Sequence, residues 1–117
     1  SVALFYRYGP VQALNIGVAF AHTPAGPYRR LKEPLFPEQG EDPFVWRDRN
    51  GHWHMLFHGC RDPYRRNVGS WCVSFGGWQA QGPYCGRHAF SADLLNWHFS
   101  WTPAYTASVA FRDGLPE

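Results

Sequence analysis

The sequence predicts an all-β chain, on three observations. Twelve glycines and ten prolines punctuate its 117 residues so closely that no stretch sustains a helical period over three turns. Between them stand short runs rich in Val, Phe, Tyr and Trp, the residues that suit a pleated, half-buried surface. Asn50-Gly51, set between Val45-Trp46-Arg47 and Trp53-His54-Met55, reads as a short turn closing an antiparallel hairpin, because Asn and Gly tolerate the left-handed backbone such turns require.

Taken in order, the first strand is expected at Val2 to Tyr8 and the second at Asn15 to Ala21. The third lies at Tyr28 to Leu31, after the Gly26-Pro27 turn. Pro43 to Asp48 and His52 to His58 form the Asn-Gly hairpin. His88 to Ser91 and Trp97 to Trp101 follow, with an eighth strand at Ser108 to Arg112. Along His52 to His58 the side chains alternate, so that His52, His54, Leu56 and His58 share one face and Trp53, Met55 and Phe57 the other.

The chain also echoes itself. Gly17-Val18-Ala19-Phe20-Ala21-His22-Thr23 resembles Arg87-His88-Ala89-Phe90-Ser91-Ala92-Asp93, and each is followed by a turn and an aromatic, Tyr28 in one case and Trp97 in the other. Ala19 and Ala89 lie seventy residues apart, longer than a propeller blade of about 40 to 50. The excess falls in a long insertion from Gly59 to Gly86, and without it the period is blade-like. Four-stranded antiparallel blades, lettered A to D outward from the axis, accommodate these strands. Residues 1–36 supply B to D of one blade and residues 41–113 the following blade, with residues 59–86 inserted between B and C. About two blades cannot close a propeller of four to eight, so a fragment of a larger one is expected.

Composition narrows the function classes. A chain that is 44% hydrophobic, 18% aromatic and 17% charged is a folding one, not a disordered one. Its net charge of +2 is scattered, with only Arg29-Arg30 and Arg65-Arg66 adjacent, which disfavours a nucleic-acid stripe. No apolar run approaches the roughly 20 residues of a membrane span. Cys60, Cys72 and Cys85 match no zinc spacing, so no protein metal centre is expected from them; Cys60 and Cys85, flanking the long insertion, can pair in an oxidising compartment. The chain opens on Ser1, directly in strand-like sequence, and leaves localisation open, the secretory pathway included.

Strand order alone locates a site. In an A-B-C-D sheet the start of A, the end of B and the start of C share one edge, which collects Asp42, His58, Arg87 and His88. The long insertion leaves from the same edge, and loops of that length are commonly functional or disordered. Asp42 faces a ligand there or caps local N–H groups as aspartates before turns do. Adjacent strand residues point oppositely, so only one of Glu41 and Asp42 faces the cavity, and Asp42 is preferred. The histidines of the His52-to-His58 strand bind a metal or, more commonly, pack as neutral imidazoles between blades. Trp53 and Trp97 fall where blade packing wants an aromatic; Trp46, Trp71 and Trp78 are open to packing or to stacking on sugar.

The run Glu41-Asp42-Pro43-Phe44-Val45-Trp46-Arg47-Asp48 followed by Asn50 to His58 resembles the inner strand pair of five-bladed β-propellers of the glycoside hydrolase family 43 type, a group that extends to invertases and levansucrases. Ala19 to Tyr28, with Gly26-Pro27, is similar to the turn between the outer two strands of such blades, and Ser91-Ala92-Asp93-Leu94-Leu95-Asn96-Trp97 to its aspartate-containing version. The resemblance implies a five-bladed fold and an oligo- or polysaccharide partner, with the remaining blades of a parent propeller as the protein partner. It makes Asp42 the carboxylate that orients sugar hydroxyls or tunes the catalytic acid, with Glu41 as its neighbouring candidate. Trp46, His58, His88 and Arg87 would line the substrate pocket. No organic cofactor is implied, though a calcium or sodium ion near the axis is. Glu41 stands where the family carries a neutral residue or an arginine, and neither the family's Glu-Gly-Pro acid motif nor its first-blade aspartate is present. Two carboxylates flanking the bond are needed for hydrolysis, so the chain alone is expected to lack activity. The alternatives are a non-catalytic glycan-binding propeller and a propeller used for protein interaction.

Overall fold

The computed structural model describes residues 1–9, 15–36, 40–59, 86–100 and 102–105. They form two antiparallel sheets and, among the described residues, no helix. The first sheet runs in the order β1 (Val2–Tyr8), β2 (Asn15–Ala21), β3 (Arg29–Arg30). The second is a meander of β4 (Gly40–Arg47), β5 (Trp53–Gly59), β6 (Gly86–Ser91) and β7 (His98–Phe99). The expected strand at 108–112, the insertion with Trp71 and Trp78, and the cysteines Cys60, Cys72 and Cys85 lie outside the described residues.

β1 and β2 match their expected ranges to the residue, while other bounds move. β3 and β7 shrink to two residues each, and β4 begins at Gly40, three residues ahead of the proline where a strand start was expected. A proline has no N–H to give a ladder, but β4 is the outermost strand of its sheet, where proline is tolerated. The strand absorbs it through a bulge: Glu41 pairs with His58 and Phe44 with Leu56, so Asp42 and Pro43 together oppose the single residue Phe57. The extra residue is taken up at Asp42, whose φ of 53° lies in the left-handed region.

The internal echo is a repeat of three paired strands. Leu4, Ala19 and Arg30 align across β1-β2-β3 as Met55, Ala89 and Phe99 do across β5-β6-β7. Ala3, Phe20 and Arg29 likewise answer to His54, Phe90 and His98. Each unit turns on its own hydrogen bonds between its last two strands. In the first, the amide of Gly26 donates to the Thr23 carbonyl at 3.0 Å, and the Tyr28 hydroxyl to the Pro24 carbonyl at 2.9 Å. In the second, one carboxylate organises the turn: Asp93 accepts from the amides of Leu95 and Asn96, the Asn96 side-chain amide and the Ser91 hydroxyl. These donors, the Asn96 amide first, hold the Asp93 carboxyl well below the usual carboxylate range.

The sheets meet through one face of each. Ile16 and Phe36 from the first unit pack with Met55, Phe57 and Ala89 of the second, all 3% exposed or less, and Phe5, Val45, Trp97 and Phe99 border them. Phe36 stacks on Phe57 at 5.2 Å and meets Phe99 edge-on at 4.5 Å. Trp97, expected in packing, stands edge-on to Phe5 and Phe36. Asn15 ties the segment carrying Phe36 in place, its side-chain amide donating to the Phe36 carbonyl at 2.6 Å. Each of the large side chains closed off here contributes about 1.5 to 3 kcal/mol relative to exposure.

Candidate functional site

The opposite, outward face of the second sheet carries the chemistry. Its ladder positions hold Phe44, Trp46, His54, Leu56, His58, His88 and Phe90. At one end of this face, β5 ends and β6 begins, with the bulge of β4 alongside. There the Asp42 carboxylate lies 3.2 Å from Nδ1 of His58, with Asp42 72% and His58 38% exposed. Tyr105 returns to the same end through a bridge to Gly86, its ring 6.0 Å from the His58 imidazole. Sequence reasoning missed Tyr105, since the bridge that places it is non-local.

The bulge changes the relation of the two adjacent carboxylates. Strict alternation put Glu41 and Asp42 on opposite faces, but register sets Glu41 opposite His58 and the left-handed turn at Asp42 brings its carboxylate to the same imidazole. Both acidic residues therefore approach His58.

His88 is placed away from that end, opposite Leu56, and belongs to a second group. Oδ2 of Asp48 accepts from Nε2 of His54 at 3.1 Å, and Nδ1 of His54 meets Nε2 of His88 at 3.0 Å. The two imidazoles stack at 5.2 Å and 9°, with Trp46 stacked on His54 at 5.2 Å and 15°. An ionised carboxylate only accepts, so neutral His54 carries its proton on Nε2 and takes one from His88 through Nδ1, leaving Nδ1 of His88 as an acceptor. The His54 hydrogen bond, and then the amide of His52, keep the Asp48 carboxyl below its ordinary range. Burial first, and the positive charge of a protonated His54 second, lower the pKa of His88.

Asp48 looks in sequence like a turn residue, and it is one: its Oδ1 accepts the amides of Asn50 and His52, both at 2.9 Å. The second oxygen's role with His54 carries no separate sequence signal. His54 bonds two side chains, those of Asp48 and His88. Arg87, opposite Phe57, lies on the inter-sheet side and is 2% exposed, separated by the sheet from His88. Its aliphatic stem lies against Gly59, where a Cβ would collide with Cγ of Arg87. Trp46 stays on the outward face, beside the histidine pair.

Chemically, the face offers a hydrogen-bond-accepting carboxylate, imidazoles whose protons are directed by neighbours, and flat aromatic surface. Among the described residues no three His, Cys, Asp or Glu side chains are placed to hold a metal ion. A separate cleft of 760 Å³ opens beside the β2–β3 turn, lined by Phe20, His22, Tyr28 and Arg29 among others, with no carboxylate among the described residues that line it. Comparison with family models, curated proteins and solved structures finds no match to the chain.

Proposed function

We propose that the chain forms about two blades of a glycoside hydrolase-like β-propeller and binds an oligo- or polysaccharide at the end of the second sheet that carries Asp42 and His58. The observation that carries this reading is the Asp42 carboxylate, held in a left-handed bulge beside His58 while most of its side chain stays open to solvent. A carboxylate so exposed is free to accept sugar hydroxyls, and the three-strand repeat supports a blade-like arrangement of the elements that present it. Trp46 and His88 extend the surface along the same face.

The placement of Glu41 and Asp42 supports binding rather than hydrolysis by this pair. Glycoside hydrolysis uses two carboxyl groups on opposite sides of the scissile bond, about 5 to 9.5 Å apart. Glu41 and Asp42 are neighbours on one strand beside one imidazole, an arrangement that favours the non-catalytic glycan-binding reading over an enzyme completed by this chain.

Titration calorimetry with arabino-, xylo- and fructo-oligosaccharides tests the reading. At least one is expected to bind, and Asp42→Asn should weaken it about tenfold or more, as losing a hydrogen bond to a charged group does. Chromogenic glycosides should show no turnover. Absence of binding to all three, or unchanged affinity in Asp42→Asn, refutes the assignment.

A further inference from the structure

The interface between the sheets is made once within the chain, and the strand repeat supplies both of its halves again. The first sheet enters that interface with the face carrying Phe5 and Ile16, and the second with the face carrying Met55, Phe57 and Ala89. By the shared register, Phe5 corresponds to Leu56 and Val18 to His88, while Leu4 corresponds to Met55 and Tyr6 to Phe57. The outward face of the second sheet is therefore the counterpart of the face the first sheet already uses. The outward face of the first sheet is the counterpart of the face the second already uses.

Apolar side chains are exposed on both of these faces, several on the second sheet and Leu4 on the first, where Ala19 and Ala21 beside it are already buried. Phe44 at 66% and Phe90 at 44% stand on the second sheet, around Trp46; Leu4 at 46% stands on the first, between Val2 and Tyr6. Arg30, across from Ala19, is the exposed cation on the Leu4 face, and an arginine suits a row of aromatic rings. Buried inter-sheet faces are the ordinary fate of such surfaces in repeat folds, which need a neighbour or a cap at each end.

We propose that the chain associates head to tail with a second copy of itself, the Phe44–Trp46–Phe90 face of one copy taking the Leu4 face of the next as the first sheet already takes the second. The contact uses different surfaces on its two sides, so it repeats until a ring closes or a filament grows. This inference does not rest on glycan binding, and a copy seated on Trp46 competes with any sugar that reaches along the face beyond the Asp42–His58 end.

Sedimentation velocity and light scattering on the full chain and two variants test it. The unsubstituted chain should gain mass with concentration, past the dimer. Leu4→Asp and Phe90→Asp should each remain monomeric alone, because every contact then contains one spoiled face. Mixed, they should form a one-to-one dimer and stop, since one intact face of each kind remains. Phe44→Asp repeats the Phe90→Asp arm from an independent exposed position, so that poor folding of one variant does not decide the result. A chain monomeric at all concentrations, a Leu4→Asp variant that still self-associates, or folded variants that do not dimerise on mixing would each overturn the proposal.

Discussion

Asp42 can be substituted so that its backbone and its charge are tested separately. Its φ of 53° is one that asparagine and glycine adopt readily, aspartate tolerably, and β-branched residues at a cost of about 1 to 3 kcal/mol. Pro43 narrows its choices further by crowding the preceding residue. The Asp42–His58 pair is open to water on both sides and screened, which places its own contribution at about 0 to 1 kcal/mol. Asp42→Asn should therefore change unfolding free energy by less than about 1 kcal/mol while weakening oligosaccharide binding. Asp42→Gly should also stay within about 1 kcal/mol, the steric relief offset by the entropy of a more flexible unfolded chain. Asp42→Val should lose about 1 to 3 kcal/mol, with the bulge strained. Urea unfolding followed by tryptophan fluorescence and far-ultraviolet circular dichroism reads all three at dilute protein. If Asp42→Asn is as destabilising as Asp42→Val, the carboxylate holds the bulge and its assignment to a ligand fails. If Asp42→Val is neutral, the left-handed bulge itself is wrong.

Four other substitutions probe the core and the outward face, the histidine pair and the turn. Met55→Ala, in the inter-sheet core at 0% exposure, should cost about 2 to 5 kcal/mol, whereas Phe44→Ala on the outward face should stay within about 0.5 kcal/mol in the monomer, both read by urea unfolding. His88 has its folded pKa lowered from 6.5, so it binds a proton less readily folded than unfolded; its contribution is present above that value and lost as pH falls through the lowered one. Nuclear magnetic resonance titration should show the His88 pKa rising in His54→Gln, which removes the neighbouring charge, and an unchanged value would contradict the pairing. Asp93→Ala should speed hydrogen exchange at the amides of Leu95 and Asn96; with the folded carboxyl depressed, the native aspartate's contribution persists above the ordinary carboxylate range and disappears only as pH falls through its lowered value.

What the sequence discloses here divides by the distance over which each interaction acts. β1, β2 and the Asn50-Gly51 hairpin were legible because period-two side chains and turn residues act within a few positions of one another. The echo around Ala19 and Ala89 was legible for the same reason, since two similar local patterns need no tertiary knowledge to be compared. The site is made differently. Asp42 and His58 are 16 residues apart and meet because a bulge sets two residues against one; strict alternation, the only local rule on offer, gave the wrong relation between Glu41 and Asp42. His54 and His88 are 34 residues apart, and whether their rings touch depends on the β5–β6 register across the insertion. A one-residue slip would turn His88 to the core and Arg87 to solvent, which is why grouping these two adjacent residues at one edge could not distinguish the exposed imidazole from the buried guanidinium. The same dependence makes the outward face selective: Trp46, His54 and His88 stack as a row only in the observed register. Any ligand or partner recognised by that row therefore reads the folding of the whole second sheet rather than of a single strand.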